Sequence, residues 1–254
     1  MNTETKTNNT TGNQSLIERL FAAGAHFGFT KSRRHPTVVP YLFGSKQGTD
    51  IFDLEKTSVL LEEAKAALNE AGKAGKTVLF VGSKDEVATI VKQFAEQAEM
   101  PYVTNRWIGG MLTNFSEIKR RIARLTDLTE QGEQGELERK YTKKERVVIG
   151  RELEKLNFNF GGMKTLERLP QMLLVVDPRH NEIAVQEAND LNIPVVGVTS
   201  SDYNLRNLKH PVVVNDALQS SVTLVLEELT AAYTAGKAEY VPPKREDNRR
   251  HTRG

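Results

Sequence analysis

Apolar positions along the chain follow two periods. Thr77–Val81 (TVLFV), Met172–Val176 (MLLVV), Pro194–Val198 (PVVGV) and Val212–Val214 are short apolar runs rich in β-branched residues, and Tyr102–Thr104 is a shorter one. Runs of this length with no polar face read as strands buried on both sides. Between them the spacing becomes helical. Leu54 to Ala71 places Val59, Leu60, Ala64, Ala67 and Leu68 on one side and stops at Gly72. Lys84 to Ala98, about Asn181 to Leu191, and Ala217 to Thr234 also read as helices. Strands alternating with helices predict an α/β fold with a doubly wound, mostly parallel five-stranded sheet. The expected strand order is 2-1-3-4-5.

Two stretches stand outside that rhythm. Near the start, Ser15 and Glu18 have the spacing of a capping box, Leu16, Leu20 and Ala23 give a short helix one apolar face, and Gly24 ends it. Tyr41-Leu42-Phe43 and Asp50-Ile51-Phe52 then flank a Gly/Ser/Lys-rich turn and predict a hairpin. Later, residues 116–160 are highly charged with apolar residues at heptad-like spacing. Ile118, Ile122, Leu125 and Leu128 form one stripe, and Ile149, Leu153, Leu156 and Phe160 another, with a break at Gln131–Gly135 (QGEQG). This pattern predicts an antiparallel coiled-coil hairpin inserted into the sheet and projecting from it. The expected organisation is a disordered tail over 1–13, the first part of the α/β domain over 14–115, the helical hairpin over 116–160, the second part over 161–234 and a basic flexible tail over 235–254.

Charge changes this picture only when it is divided. The net charge of the 254 residues is +2. Residues 237–254 hold six cations against three acids, so the rest of the chain is −1. From Lys31 to Gly48 there are four cations, Lys31, Arg33, Arg34 and Lys46, and no acid. Local positive charge points to a polyanionic partner, although basic tails also serve as solubilising ends. The chain has no cysteine, which excludes disulfides, thiolate metal sites and a cysteine nucleophile and fits a reducing cytoplasm. No window approaches the length of an apolar membrane span, and the polar first residues do not read as a signal peptide.

A doubly wound sheet makes a nucleotide- or sugar-phosphate-binding enzyme the first rival reading. The turn after the first strand is VGSKDEV, with Gly82 as its one glycine, where a dinucleotide site needs G-x-G-x-x-G. Gly72-Lys-Ala-Gly-Lys-Thr77 resembles a phosphate loop, but its glycines are too close and it precedes a strand instead of following one. The five histidines are scattered without metal-ligand spacing, and no serine sits in G-x-S-x-G. Asp50, Asp53 and Asp177 read as turn and strand-end carboxylates. Neither a catalytic group nor a metal or cofactor site is expected. A third reading is a protein–protein scaffold that uses the arm alone.

Three segments carry more. In the first, Gly24-Ala-His-Phe-Gly28, Lys31-Ser-Arg-Arg-His-Pro36 and Pro40-Tyr-Leu-Phe-Gly44 interleave aromatic residues with cations. Cations contact phosphates and aromatics stack on bases, which suits RNA. The same residues also fit a rigid turn in which Phe27, Tyr41 and Phe43 are core and the cations are solvated. In the second, Asn105-Arg-Trp-Ile-Gly-Gly-Met-Leu-Thr-Asn-Phe115, Arg106 suits a phosphate, Gly109-Gly110 permit close approach or positive φ, and Trp107 either stacks or anchors the arm in the core. Anchoring is the better fit. The third runs from Phe160-Gly-Gly-Met-Lys164 to Leu169-Pro-Gln-Met-Leu-Leu-Val-Val-Asp-Pro178.

Together with AGAHFG, PYLFG, IFDLEKT, TVLFVGSK, IAVQEA and IPVVGVTS, these strings resemble the bacterial ribosomal protein S2 family, from about Leu20 to about Ala232. The resemblance implies a parallel α/β sheet with an inserted coiled-coil hairpin. It also implies a structural, non-catalytic role in the small ribosomal subunit, near the junction of head and body on the solvent side. The implied partners are small-subunit (16S) rRNA, neighbouring ribosomal proteins and ribosomal protein S1, met by a monomer in the cytoplasm without cofactor, membrane or small-molecule substrate. Candidate RNA contacts are Lys31, Arg33, Arg34, His35, Lys46, Arg106, Lys119, Arg120 and Arg124. His26, Gly28, Trp107, Gly109, Gly110 and Asn114 are the structural residues of the motifs. The chain departs from the family pattern at Phe29, where a second His is common, at Arg34, where an aromatic is common, and at Ser200-Ser201-Asp202. The first departure argues against a histidine-based metal site.

Overall fold

Val78-Leu79-Phe80-Val81 leaves no face for water, and such a strand needs a packed layer on each side. The computed structural model describes residues 16–240 and supplies both layers. Its elements run α1 (16–22), β1 (Phe27–Thr30), β2 (Leu42–Lys46), β3 (Thr49–Phe52), α2 (Leu54–Lys73), β4 (Val78–Val81), α3 (Asp85–Gln97) and β5 (Tyr102–Val103). They continue with α4 (Phe115–Glu133), α5 (Glu136–Lys140), α6 (Lys143–Phe160), β6 (Met172–Val176), α7 (Glu182–Asp190), β7 (Val195–Thr199), β8 (His210–Val213) and α8 (Gln219–Ala238). The proposed cap Ser15, the 1–13 tail and most of the basic tail lie outside the described residues.

The main sheet is parallel in the order β5-β4-β6-β7-β8, the expected 2-1-3-4-5 of its five strands. Alternate residues face opposite layers. Leu79, Val81, Leu173 and Val175 join Trp107, Met111, Leu112 and α7 on one side. Val78, Phe80, Leu174 and Val176 meet α1, α2, α3 and α8 on the other. Among the described residues no helix is long and apolar enough to cross a membrane.

Gly72 does not stop its helix. The helix α2 runs on to Lys73, and the chain turns at Gly75, whose φ is +63°. Gly72 serves the crossing with α8. A Cβ there would lie 2.4 Å from the carbonyl oxygen of Tyr233, and one at Gly236 would lie 2.1 Å from that of Asn69. The two backbones touch, and no larger residue fits at either position.

The expected hairpin is part of a larger sheet, antiparallel in the order β1-β3-β2. Gln47 and Gly48 both have positive φ, +52° and +82°, as a tight two-residue hairpin turn requires. The strand β1 escaped the periodicity because it is four residues long, neither face of its FGFT is fully buried, and its register with β3 slips between Phe27 and Thr30.

Residues 115–160 form a two-helix arm. The helix α6 runs back along α4, so Arg124 meets Glu152 at 3.4 Å midway and Ile118 shares a cleft with Leu156 and Phe160 at the base. The predicted stripes are buried, with Leu153 half-buried. The tip differs from expectation, because α4 continues through Gln131 and Gly132 and turns at Gly135 (φ +68°) into the short α5. A capping box between Thr142 and Glu145 then starts α6. The arm is also less detached than its charge suggests, since Ile118, Leu156 and Phe160 belong to the same apolar cluster as Leu79 and Val175.

Candidate nucleic-acid interface

The basic loop is built by local hydrogen bonds and one ion pair. Lys31–Arg33 make a single 3-10 turn, and the guanidinium of Arg33 lies over the Phe29 ring at 5.7 Å, a cation–π distance. Pro36 then opens a second 3-10 turn, which His35 caps: its Nδ1 accepts from the Thr37 N–H at 3.3 Å and lies 2.8 Å from Thr37 Oγ1. His35 N–H donates to the Ser201 carbonyl, which ties the loop to the end of β7. Lys31, Arg33 and Lys46 point into solvent.

Arg34 does not. Its Nε donates to Asp50 Oδ2 at 2.7 Å, while Nη2 reaches Asp50 Oδ1 and donates to Ser45 Oγ at 2.7 Å. Asp50 is 0% exposed and also accepts from Ser45 Oγ at 2.9 Å. The hydrogen bond from Arg34 holds the Asp50 carboxyl below its ordinary range against the opposing effect of burial. The expectation of four uncompensated cations is thus corrected to three, because the compensating acid stands two residues beyond the acid-free segment. Phe27 and Phe43 are exposed while Tyr41 is half-buried, so the all-core reading of these aromatics holds for Tyr41 alone.

His26 lies between Phe21 and Phe27, with ring centroids 4.4 and 4.0 Å away. Burial lowers its pKa, which favours the neutral ring. Gly28 leaves no room for a side chain, since a Cβ would meet Phe52 Cζ at 2.9 Å.

The second segment wraps around a carboxylate that the sequence did not single out. Glu187 of α7 is 7% exposed. Its Oε1 accepts from Trp107 Nε1 at 3.1 Å and Gly110 N–H at 2.8 Å, and its Oε2 from Leu112 N–H at 2.9 Å, Thr113 N–H at 3.1 Å and Thr113 Oγ1 at 3.2 Å. Burial pushes this carboxyl up, but the backbone donors and Trp107 more than reverse it, so its pKa lies below the ordinary value. Trp107 is therefore an anchor. Gly110 has φ +89°, while a Cβ at Gly109 would meet nothing within 4 Å. Asn114 occupies the cap position of α4 without a side-chain cap bond. The available signal was a glutamate on the same helix face as Ala184 and Ala188, both buried.

Arg106 is exposed beside this anchored loop. On the arm Lys119, Arg120 and Arg124 are exposed, but Arg120 pairs with Glu117 at 2.8 Å and Arg124 with Glu152 and Asp127. Exposed pairs of this kind are weak and can exchange partners. The loop cations and those of the arm lie in separate parts of the molecule, one on the small sheet and the other on α4. At the far end of the main sheet Asp216 is buried, and its pKa is raised by that burial and by Asp177 and Asp202. Lys84 and Arg179 balance the latter two at 3.4 and 2.9 Å. Among the described residues no three acidic or imidazole groups are placed to hold a metal ion.

Fold and surface together define an α/β scaffold with a helical arm and cation-bearing loops. Residues 20–236 match the family model of ribosomal protein S2. The small ribosomal subunit protein uS2 of Dictyoglomus thermophilum is 40% identical over 222 residues, 87% of this chain and 90% of that protein. That of Salinibacter ruber is 38% identical over 229 residues, 90% of this chain and 71% of that protein, and uS2c of Rhodomonas salina is 38% identical over 231 residues, 91% and 95% of the two. The chain belongs to the ribosomal protein S2 family.

Proposed function

We propose that this protein is held in the small ribosomal subunit by phosphate contacts from two surfaces: Lys31, Arg33 and Lys46 on the small sheet, with Arg106 on the anchored loop, and Lys119, Arg120 and Arg124 on the arm. As a member of its family it is a structural constituent of the small subunit and not an enzyme, and it works during translation in the cytoplasm. Its polyanion is small-subunit (16S) rRNA, and neighbouring ribosomal proteins share the contact. The observation that carries this reading is the set of three exposed cations left on the loop after Asp50 has taken Arg34. His35 shapes that loop through its cap, and Arg34 through its ion pair. Two finer assignments, a single copy per subunit and a share in docking ribosomal protein S1, draw their support from the family resemblance.

The mechanism is electrostatic and geometric: cations replace condensed counterions, and rigid turns set their spacing. If about four phosphates are neutralised, raising salt from about 50 to about 200 mM weakens binding of the isolated protein to RNA by roughly two orders of magnitude. Arg33→Ala and Lys46→Ala should each reduce that affinity by about 1–3 kcal/mol where the lost bond is charge-assisted. Neither should shift thermal stability measurably, since both side chains are exposed. A salt-independent affinity would contradict the proposal.

The arm provides the second test. Replacing residues 119–153 with a short Gly/Ser linker removes Lys119, Arg120 and Arg124 and keeps Ile118, Leu156 and Phe160, which close the core at its base. The shortened protein should fold cooperatively and co-sediment poorly with small subunits in a gradient. Normal incorporation would show that the arm is dispensable for docking.

A further inference from the structure

The main sheet reverses its strand order between β4 and β6. In open α/β sheets the crevice outside the carboxyl ends of the strands at such a reversal is where ligands bind. A cleft of about 410 Å³ lies there, walled by Ser83 after β4, Arg106 after β5 and His180 after β6. A neighbouring cleft of about 650 Å³ is walled by Lys92 of α3 and by Asn157 and Asn159 of α6. Both volumes fall within the range of small-ligand sites, roughly 300–1,000 Å³. The two share Thr104, Asn105 and Phe158. Phe158 forms part of the wall of each and is 60% exposed. Its backbone is pinned, because Asn105 Nδ2 donates to its carbonyl oxygen.

We propose that this crevice takes an unpaired nucleotide of RNA, with its base stacked on the Phe158 ring. The inference rests on the RNA-binding reading above and adds a contact of a different kind. Stacking on an aromatic face is tolerant of base identity, which suits a surface that otherwise reads phosphates. The side-chain amides of Asn105, Asn157 and Asn159 offer donors and acceptors of the kind that meet the edges of an unstacked base. Arg106 lines one cleft and Lys92 the other, the latter 3.9 Å from Glu96 in a loose exposed pair, so each cleft has a cation for a flanking phosphate. Asp85 lines the 410 Å³ cleft and disfavours a phosphate deep inside it, which leaves the uncharged base as the group that enters. A duplex keeps its bases paired and stacked, so only single-stranded RNA can use the ring.

The test uses the full chain. Trp107 is its single tryptophan and is buried, so Phe158→Trp adds an exposed reporter. Its emission should be quenched by a short single-stranded RNA and not by a duplex of the same length. Phe158→Ala should weaken single-strand binding roughly five- to a hundred-fold and leave duplex binding and melting temperature unchanged. Arg33→Ala, as a control, should weaken both. Wild-type affinity in Phe158→Ala with no quenching in Phe158→Trp overturns the inference while the loop-cation reading stands. If the wild-type protein binds neither RNA, both readings fall. AMP and UMP probe the free-nucleotide source: quenching by either at the concentrations effective for the oligonucleotide would assign the crevice to mononucleotides and overturn the assignment to RNA.

Discussion

Glu187→Ala should lower the melting temperature by roughly 8–16 °C, corresponding to a loss of about 4 kcal/mol in a chain of this size. Three backbone N–H groups and the Trp107 indole would lose their acceptor, and the bonds from Trp107 and Leu112 are fully buried. Each buried donor left unpaired costs on the order of 1–3 kcal/mol before relaxation. Glu187→Gln keeps one acceptor oxygen and turns an NH₂ group towards donors, so an intermediate loss of about 2 kcal/mol is expected. The single tryptophan reports the event directly, and its emission should shift to the red as the Asn105–Phe115 loop loosens.

The pH dependence separates the charge of Glu187 from its shape. Its folded-state pKa is lowered, so its contribution is fully present above the ordinary value of 4.5 and is lost as pH falls through the lower folded value. Glu187→Gln should lack this component of the acid limb. Thermal melts across that window, with wild type and variant superimposed after a constant offset, would sink the charge argument. A melting temperature within about 2 °C of wild type for Glu187→Ala would sink the anchor itself.

Arg34→Ala should cost about 3–4 kcal/mol, far more than Arg33→Ala next to it. The difference comes from Asp50, which would lose the guanidinium that covers and pairs it and keep Ser45 Oγ as its remaining hydrogen-bond partner. Without the guanidinium, burial would be opposed by the hydrogen bond from Ser45 and the charge of Lys31 alone. Wild-type Asp50 has a lowered pKa, so its stabilisation is present above the ordinary value of 3.8 and disappears as pH drops through the folded value. In Arg34→Ala the part of this acid limb that depends on the guanidinium is lost, so acidification through the folded value should narrow the gap to wild type. Adding Asp50→Asn to Arg34→Ala should restore part of the loss, since an amide is cheaper to bury than an unpaired carboxylate. Chemical denaturation of the two single variants and the double variant measures the coupling. A coupling near zero would show that the pair is incidental.

The strands of the main sheet, the hairpin and most helices could be located from the residues because their causes are local. Met172–Val176 has no polar position, is short and ends in Val-Val before Asp177-Pro178, and so it reads as a strand covered on both sides. Right-handed crossovers favour a doubly wound sheet; they do not choose between its common strand orders, and the observed order agrees with the expected one. The stripes of the arm were legible because their cause is local too: Ile118, Ile122, Leu125 and Leu128 keep helical spacing whatever they pack against.

Other features depended on residues distant in sequence, and no local pattern contains them. Gly72 looks like a helix stop until α8 is laid across it, when it becomes the point at which two backbones touch. Arg34 counts as a free cation until the hairpin turn brings Asp50 back over it. Trp107 and Glu187 are eighty residues apart, and only the packing of α7 against the sheet places the carboxylate beneath the loop's N–H groups. Phe158 reads as one more apolar residue near the end of a helix until the carboxyl edge of the sheet forms a crevice beside it. By itself the sequence determined most of the strands and helices, the fold class and the family, because periodicity and motif strings are properties of neighbouring residues. Tertiary structure alone decided which charges are spent and which remain free, because a burial cost and its compensating partner meet only when distant segments are brought together.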